Sequence, residues 1–133
     1  NGAESFNQDI GDWNTSDLNY APYMFVRARS FNQDVSKWNM SKVTAFNNFF
    51  YQADNFNQDL GNWDTSSATN MGNIFNGAIS FNQDISGWDV SKVTDMSSMF
   101  YNAAKFDQDI SNWDVSKLHT CLVFNGNNLM FFI

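Results

Sequence analysis

Five aspartates, Asp9, Asp34, Asp59, Asp84 and Asp109, recur at intervals of twenty-five residues, each preceded by a glutamine. Carboxylates at a regular step suggest acid–base catalysis, calcium binding, or backbone hydrogen bonding in a loop. A glycosidase needs two acids in unlike environments, so that one keeps its proton while the other is ionised. These acids are copies in like environments, which argues against such a pair. Calcium could be held by this Asp column together with Asn and carbonyl oxygens between coils, but no EF-hand loop or glycine-rich calcium nonapeptide accompanies it. Like charges about 4.8 Å apart repel by roughly 0.9 kcal/mol even in bulk water, so each Asp needs a compensating partner. The simplest partner is a backbone N–H in an Asx-type turn, with the neighbouring Gln bonding to the next coil.

Other catalytic constellations are absent. His119 is the single histidine, and a serine nucleophile would need a histidine base oriented by a third residue. Clusters of His and Cys at zinc-ligand spacing are lacking. Cys121 is the only cysteine, so no internal disulfide can form, and it reads as a small buried apolar side chain. The expectation is no enzyme, no cofactor and no metal. Asn14-Thr15-Ser16 and Asn39-Met40-Ser41 match the N-glycosylation pattern, making Asn14 and Asn39 candidates on a eukaryotic secretory route. Asn simply alternating with Asp in that column is the plainer reading.

The elements that must position these residues follow from the repeat. Phe6, Phe31, Phe56, Phe81 and Phe106 mark position 1 of five units with no insertion or deletion between them. The units are 6–30, 31–55, 56–80, 81–105 and 106–133, the last with an atypical C-terminal cap. Residues 1–5 align with 76–80, the end of a unit, and are expected to be the tail of a preceding repeat in a longer array. Position 8 is always Trp (Trp13, Trp38, Trp63, Trp88 and Trp113), and position 20 is Phe in the first four units.

Within a unit, Ile85, Trp88, Val90 and Val93 have the apolar spacing of a leucine-rich-repeat core, and Trp88-Asp89-Val90 alternates as a short strand. Val93, Met96, Met99, Phe100 and Ala103 then follow a helical period. Asn19, Thr44, Thr69 and Thr94 stand where such a helix would be capped, with His119 in the fifth copy. Pro22 falls in its first turn, and Asn76-Gly77 supplies a stop. The fold class expected is therefore an α/β repeat solenoid, leucine-rich-repeat-like. It would have five 25-residue coils, each a short parallel strand plus a short α or 3₁₀ helix, all in one domain. Phe at positions 1 and 20 and Trp at position 8 would form three aromatic columns, each buried ring contributing roughly 1.5–3 kcal/mol before entropy.

Seventeen per cent aromatic residues argue against disorder, and a net charge of −7 without any basic run argues against nucleic-acid partners. No apolar stretch approaches the roughly twenty residues of a membrane span, so direct membrane insertion is not expected.

The phrases FNQDISGWDVSKVTDMSSMF (81–100) and FDQDISNWDVSKL (106–118) resemble the 25-residue repeats of BspA-like leucine-rich-repeat surface proteins and mycoplasma-type surface lipoproteins. The resemblance runs from Asn1 to about Leu118. Unit 1 departs at Tyr20-Ala21-Pro22-Tyr23, Arg27 and Arg29, and unit 5 after Leu118. It implies an extracellular or cell-surface protein of adhesive type.

With Trp inward, position 9 should face outward beside the variable positions 7 and 12. The candidate binding face is thus Asp12, Asn14, Lys37, Asn39, Lys42, Asn62, Asp64, Asp89, Lys92, Asn112, Asp114 and Lys117. The partner would be a protein or cell surface. The alternative is a structural scaffold, in which copies of the chain associate end to end or laterally as a stalk, coat or filament, with the apolar stretches 122–124 and 129–133 capping the last coil or docking on another subunit.

Overall fold

The computed structural model describes residues 2–119 and two short strands, β1 (Val123–Phe124) and β2 (Leu129–Met130). These pair antiparallel, Val123 with Met130 and Phe124 with Leu129.

The expected strand and helix of each coil are both absent among the described residues. Residues 6–119 run as five stacked circuits made almost wholly of turns. In unit 2, i to i+3 hydrogen bonds close turns from Trp38 N to Val35 O, Val43 N to Met40 O, Phe49 N to Phe46 O and Ala53 N to Phe50 O. The segment read as a helix carries left-handed residues at positions 18 and 22. Asn48, Asn73 and Ser98 have φ of 58°, 56° and 53°, and Gln52, Gly77 and Asn102 have 54°, 73° and 57°. A right-handed helix cannot pass through such residues. Tyr23 and Arg27 share that conformation at 59° and 57° in unit 1, so Pro22 precedes a left-handed residue and does not start a helix. Asn19, Thr44, Thr69 and Thr94 cap nothing.

The donors freed by this geometry go to the neighbouring coil. Phe46, Asn48, Phe50 and Gln52 donate their N–H groups to the carbonyls of Asn70, Gly72, Ile74 and Asn76, at 2.7–2.9 Å. Such pairing satisfies the backbone without helix or sheet. Parallel bridges do occur, but at position 15, Ala45 to Asn70 and Asn70 to Asp95, not at Trp88-Asp89-Val90. Beside them Thr69 N donates to Thr44 O at 2.8 Å and Thr94 N to Thr69 O at 2.9 Å.

The interior is a continuous aromatic stack. Phe31, Phe50, Phe56, Phe75, Phe81 and Phe100 are fully buried. The position-20 ring of each unit lies on the position-1 ring that opens the next, Phe50 on Phe56 at 3.9 Å and Phe75 on Phe81 at 3.9 Å. Equivalent rings one repeat apart also stack, Phe31 on Phe56 at 5.9 Å and Trp63 on Trp88 at 6.3 Å, within the range of favourable aromatic pairs. The ladder is uneven at its start, where Phe6 is half-buried and Trp13 is 62% exposed.

Candidate interaction surface

The polar columns are set by short local bonds. At position 4 every Asp Oδ1 accepts the N–H two residues on: Asp9 from Gly11 (3.0 Å), Asp34 from Ser36 (2.8 Å), Asp59 from Gly61 (2.8 Å), Asp84 from Ser86 (2.9 Å) and Asp109 from Ser111 (2.9 Å). Position 9 repeats the device, with Asn14, Asn39, Asp64, Asp89 and Asp114 accepting from Ser16, Ser41, Ser66, Ser91 and Ser116. A third copy that sequence reasoning missed lies at position 15, where Asn70 accepts from Gly72 N and Asp95 from Ser97 N, both at 2.9 Å.

These bonds set the acidity of the carboxylates. The Ser36 hydroxyl first, and its N–H second, hold Asp34 below the ordinary Asp range. Ser86 does the same for Asp84 and Ser111 for Asp109. At position 9, Asp64, Asp89 and Asp114 are lowered chiefly by the hydroxyls of Ser66, Ser91 and Ser116, with Lys92 or Lys117 adding a smaller attraction.

Side chains also tie coil to coil. Gln33 Nε2 donates to both the carbonyl and Oδ1 of Asn7, and Asn32 N donates to the same Oδ1 at 2.9 Å. The pattern recurs with Asn57 and Gln58 on Asn32, with Asn82 and Gln83 on Asn57, and with Asp107 and Gln108 on Asn82. Position 2, Asn in four copies, is therefore the acceptor that the Gln column uses. Its uniformity was the visible signal. Each indole from Trp38 onward donates Nε1 to a position-5 carbonyl of the preceding coil: Trp38 to Ile10, Trp63 to Val35, Trp88 to Leu60 and Trp113 to Ile85.

The twelve residues of the candidate face are all exposed, and they border turns, not a strand. Lys42 pairs with Asp17 at 3.2 Å and Lys37 with Asp12 at 3.8 Å, joining coils 1 and 2 at the surface. Asn14 and Asn39 are exposed with Oδ1 engaged in the Asx turn, and Asn39 Oδ1 also accepts the Ser41 hydroxyl at 2.7 Å. Among the described residues no three of His, Cys, Asp and Glu converge as a metal site would require. His119 is exposed and its N–H donates to Thr94 O. Cys121, Leu122 and residues 131–133 lie outside the described residues. No helix among the described residues is long and apolar enough to cross a membrane.

This periodic frame of Phe, Asn, Gln, Asp and Trp matches one known family. It is described as "Mycoplasma protein of unknown function, DUF285", and the match covers residues 1–53 and 33–129. The chain belongs to the DUF285 family. Neither a curated protein nor a solved structure matches it. In this DUF285 chain the repeated residues serve the frame, while positions 7 and 12, which differ from coil to coil, stand on its outside except for Ser67, half-buried with its hydroxyl donating to Ser41 O.

Proposed function

We propose that this DUF285 chain is a non-catalytic extracellular or cell-surface module of BspA-like type, binding a protein or surface partner through positions 7, 9 and 12. The observation that carries this reading is the division of labour within each coil. Coils 2 to 5 repeat the same Gln and Trp bonds to the preceding coil, whereas the residues at positions 7 and 12 change, Asp12, Lys37, Asn62, Gly87 and Asn112, and Asp17, Lys42, Ser67, Lys92 and Lys117, all exposed but the half-buried Ser67. A rigid frame presenting variable side chains loses little entropy on binding. Resemblance to surface repeat proteins supports the extracellular location.

The test is to titrate the labelled chain onto intact eukaryotic cells and onto immobilised matrix proteins, beside a variant with Lys37, Lys42, Lys92 and Lys117 changed to Glu. Saturable binding that the variant loses, at an unchanged melting temperature, supports the reading. Equal binding by both chains, or none by either, overturns it.

A further inference from the structure

Position 22 is left-handed in coils 1 to 4, and three of its occupants carry side chains: Arg27, Gln52 and Asn102 have φ of 57°, 54° and 57°. Gly77, at 73°, is the exception in coil 3. The backbone there does not by itself call for glycine; the effect of Gly77 is a gap in the column between Gln52 and Asn102. A Cβ at Gly77 would come within 3.0 Å of Gln52 Cγ, so any side chain on residue 77 would enter that gap. Position 21 has the same profile, long, short and long, in Tyr51, Asn76 and Tyr101. The neighbouring position-20 rings step by 5.7 and 5.8 Å from coil to coil. Tyr51 and Tyr101, two steps apart, thus flank a notch over coil 3 with room for one saccharide ring, and Asn76 and Gly77 form its floor. Gln52 is drawn away from it, because its Oε1 accepts Arg27 Nε at 3.1 Å on the coil-1 side. The notch lies on the flank of the stack, and its floor and both walls belong to described coils.

The chemistry of the notch is neutral, on a chain of net charge −7. Across positions 18 to 24 of coils 2 to 4 the one charged residue is Asp54, and it pairs with Arg29 at 3.5 Å. Position 24 runs Glu4, Arg29, Asp54 and then Ile79, 47% exposed, where the notch opens. Two amides are fixed beside it. Asn76 Nδ2 donates to Asn73 Oδ1 at 2.9 Å, which leaves Asn76 Oδ1 as an acceptor and Asn73 Nδ2 as a donor with no other partner among the described residues. A held acceptor and donor side by side suit sugar hydroxyls, each of which both donates and accepts, while phenol rings suit the apolar C–H face of a pyranose. A charged peptide, a phosphate or an acidic polysaccharide would meet no counter-charge here.

We infer that this notch is a binding site for a neutral pyranose oligosaccharide, packed against Tyr51 and Tyr101 and hydrogen-bonded by Asn73 and Asn76. It goes beyond the binding role proposed above, since it uses the arc of positions 18 to 24 and a carbohydrate, not positions 7, 9 and 12.

Isothermal titration calorimetry of the full chain with cellotetraose, mannotetraose and chitotetraose tests this, with tetragalacturonate as the acidic counterpart. The expected result is saturable binding of at least one neutral probe and none of the acidic one, with affinity lowered about tenfold or more by Gly77→Asn and, separately, by Tyr51→Ala. Gly77→Asn fills the notch with the side chain that coil 4 carries at the same left-handed position, so the melting temperature should stay close to the parent's. The four-lysine variant used against cells should bind the neutral probe like the parent, which separates failure of either idea from failure of the other. No heat from any neutral probe at millimolar concentration, equal binding of tetragalacturonate, or binding indifferent to both substitutions would overturn the inference.

Discussion

The indole Nε1 of Trp63 donates to the backbone carbonyl of Val35 at 3.0 Å, across the boundary between two coils. Val35 O also accepts the N–H of Trp38, so one carbonyl closes a turn in its own coil and anchors the next. Trp63→Phe keeps an aromatic ring in the ladder but removes that anchor, and should cost about 1–2 kcal/mol in urea denaturation. Trp13→Phe, at a 62% exposed ring whose Nε1 donates to no carbonyl among the described residues, should cost less than about 0.5 kcal/mol. Equal losses at the two sites would mean that the ring and not the bond is what matters.

Phe50 is fully buried, 3.9 Å from Phe56 and 5.7 Å from Phe75. Phe50→Ala should destabilise by about 3–5 kcal/mol, since the interior on every side is ring and cannot collapse into the space. Thermal unfolding followed by near-ultraviolet circular dichroism reads both the loss and the aromatic stacking.

The Asn column predicts an unusual tolerance. Asn57 Oδ1 accepts from Asn82 N and from Gln83 Nε2. Asn57→Ala removes both acceptances and should cost about 1–2 kcal/mol in chemical denaturation, reduced by partial solvent access. Asn57→Asp keeps the acceptor oxygen and should cost clearly less, as Asp107 in the same column suggests.

Asn73, at φ 56°, and Gly77, at φ 73°, occupy the two left-handed positions of coil 3. A Cβ on Gly77 would also meet the Gln52 side chain at 3.0 Å. Asn73→Val should lose about 1–2 kcal/mol, because a β-branched side chain is disfavoured in that backbone region. Were the segment helical, the same change would cost only a few tenths of that.

Acid should weaken the fold. Asp34, Asp84 and Asp109 are held below the ordinary carboxylate range by the serine two residues on. A group whose pKa is depressed in the folded state stabilises above its unfolded pKa, and that contribution disappears as pH falls through the folded value. The melting temperature should therefore hold down to about pH 5 and drop below about pH 4. Ser86→Gly removes the hydroxyl and keeps the N–H, so its acid limb should be shallower than the parent's.

The helix misreading has a specific cause. Val93, Met96 and Met99 are three residues apart because i to i+3 turns advance the chain by three, as with Met99 N to Met96 O. That step mimics a helical period over a short window. Asn48, Asn73 and Gly77, poor helix formers at the left-handed positions, carried the contrary signal. The strand failed for a related reason: the N–H groups of position 2 in coils 2 to 5 are met by side chains of the preceding coil, and at position 9 Asn39 N donates to Thr15 Oγ1 at 2.7 Å in place of a backbone carbonyl.

From sequence alone came the 25-residue period, the columns that repeat and the columns that vary, and the pairing of each Asp with the loop it starts. Those are local or periodic properties, visible whenever like residues recur at a constant step. Tertiary structure alone decided that the circuit is made of turns, that its backbone donors cross to the next coil, and that positions 18 and 22 turn left-handed. A hydrogen bond between residues twenty-four or twenty-five apart is specified by where a neighbouring coil lies in space, and no local spacing rule encodes that.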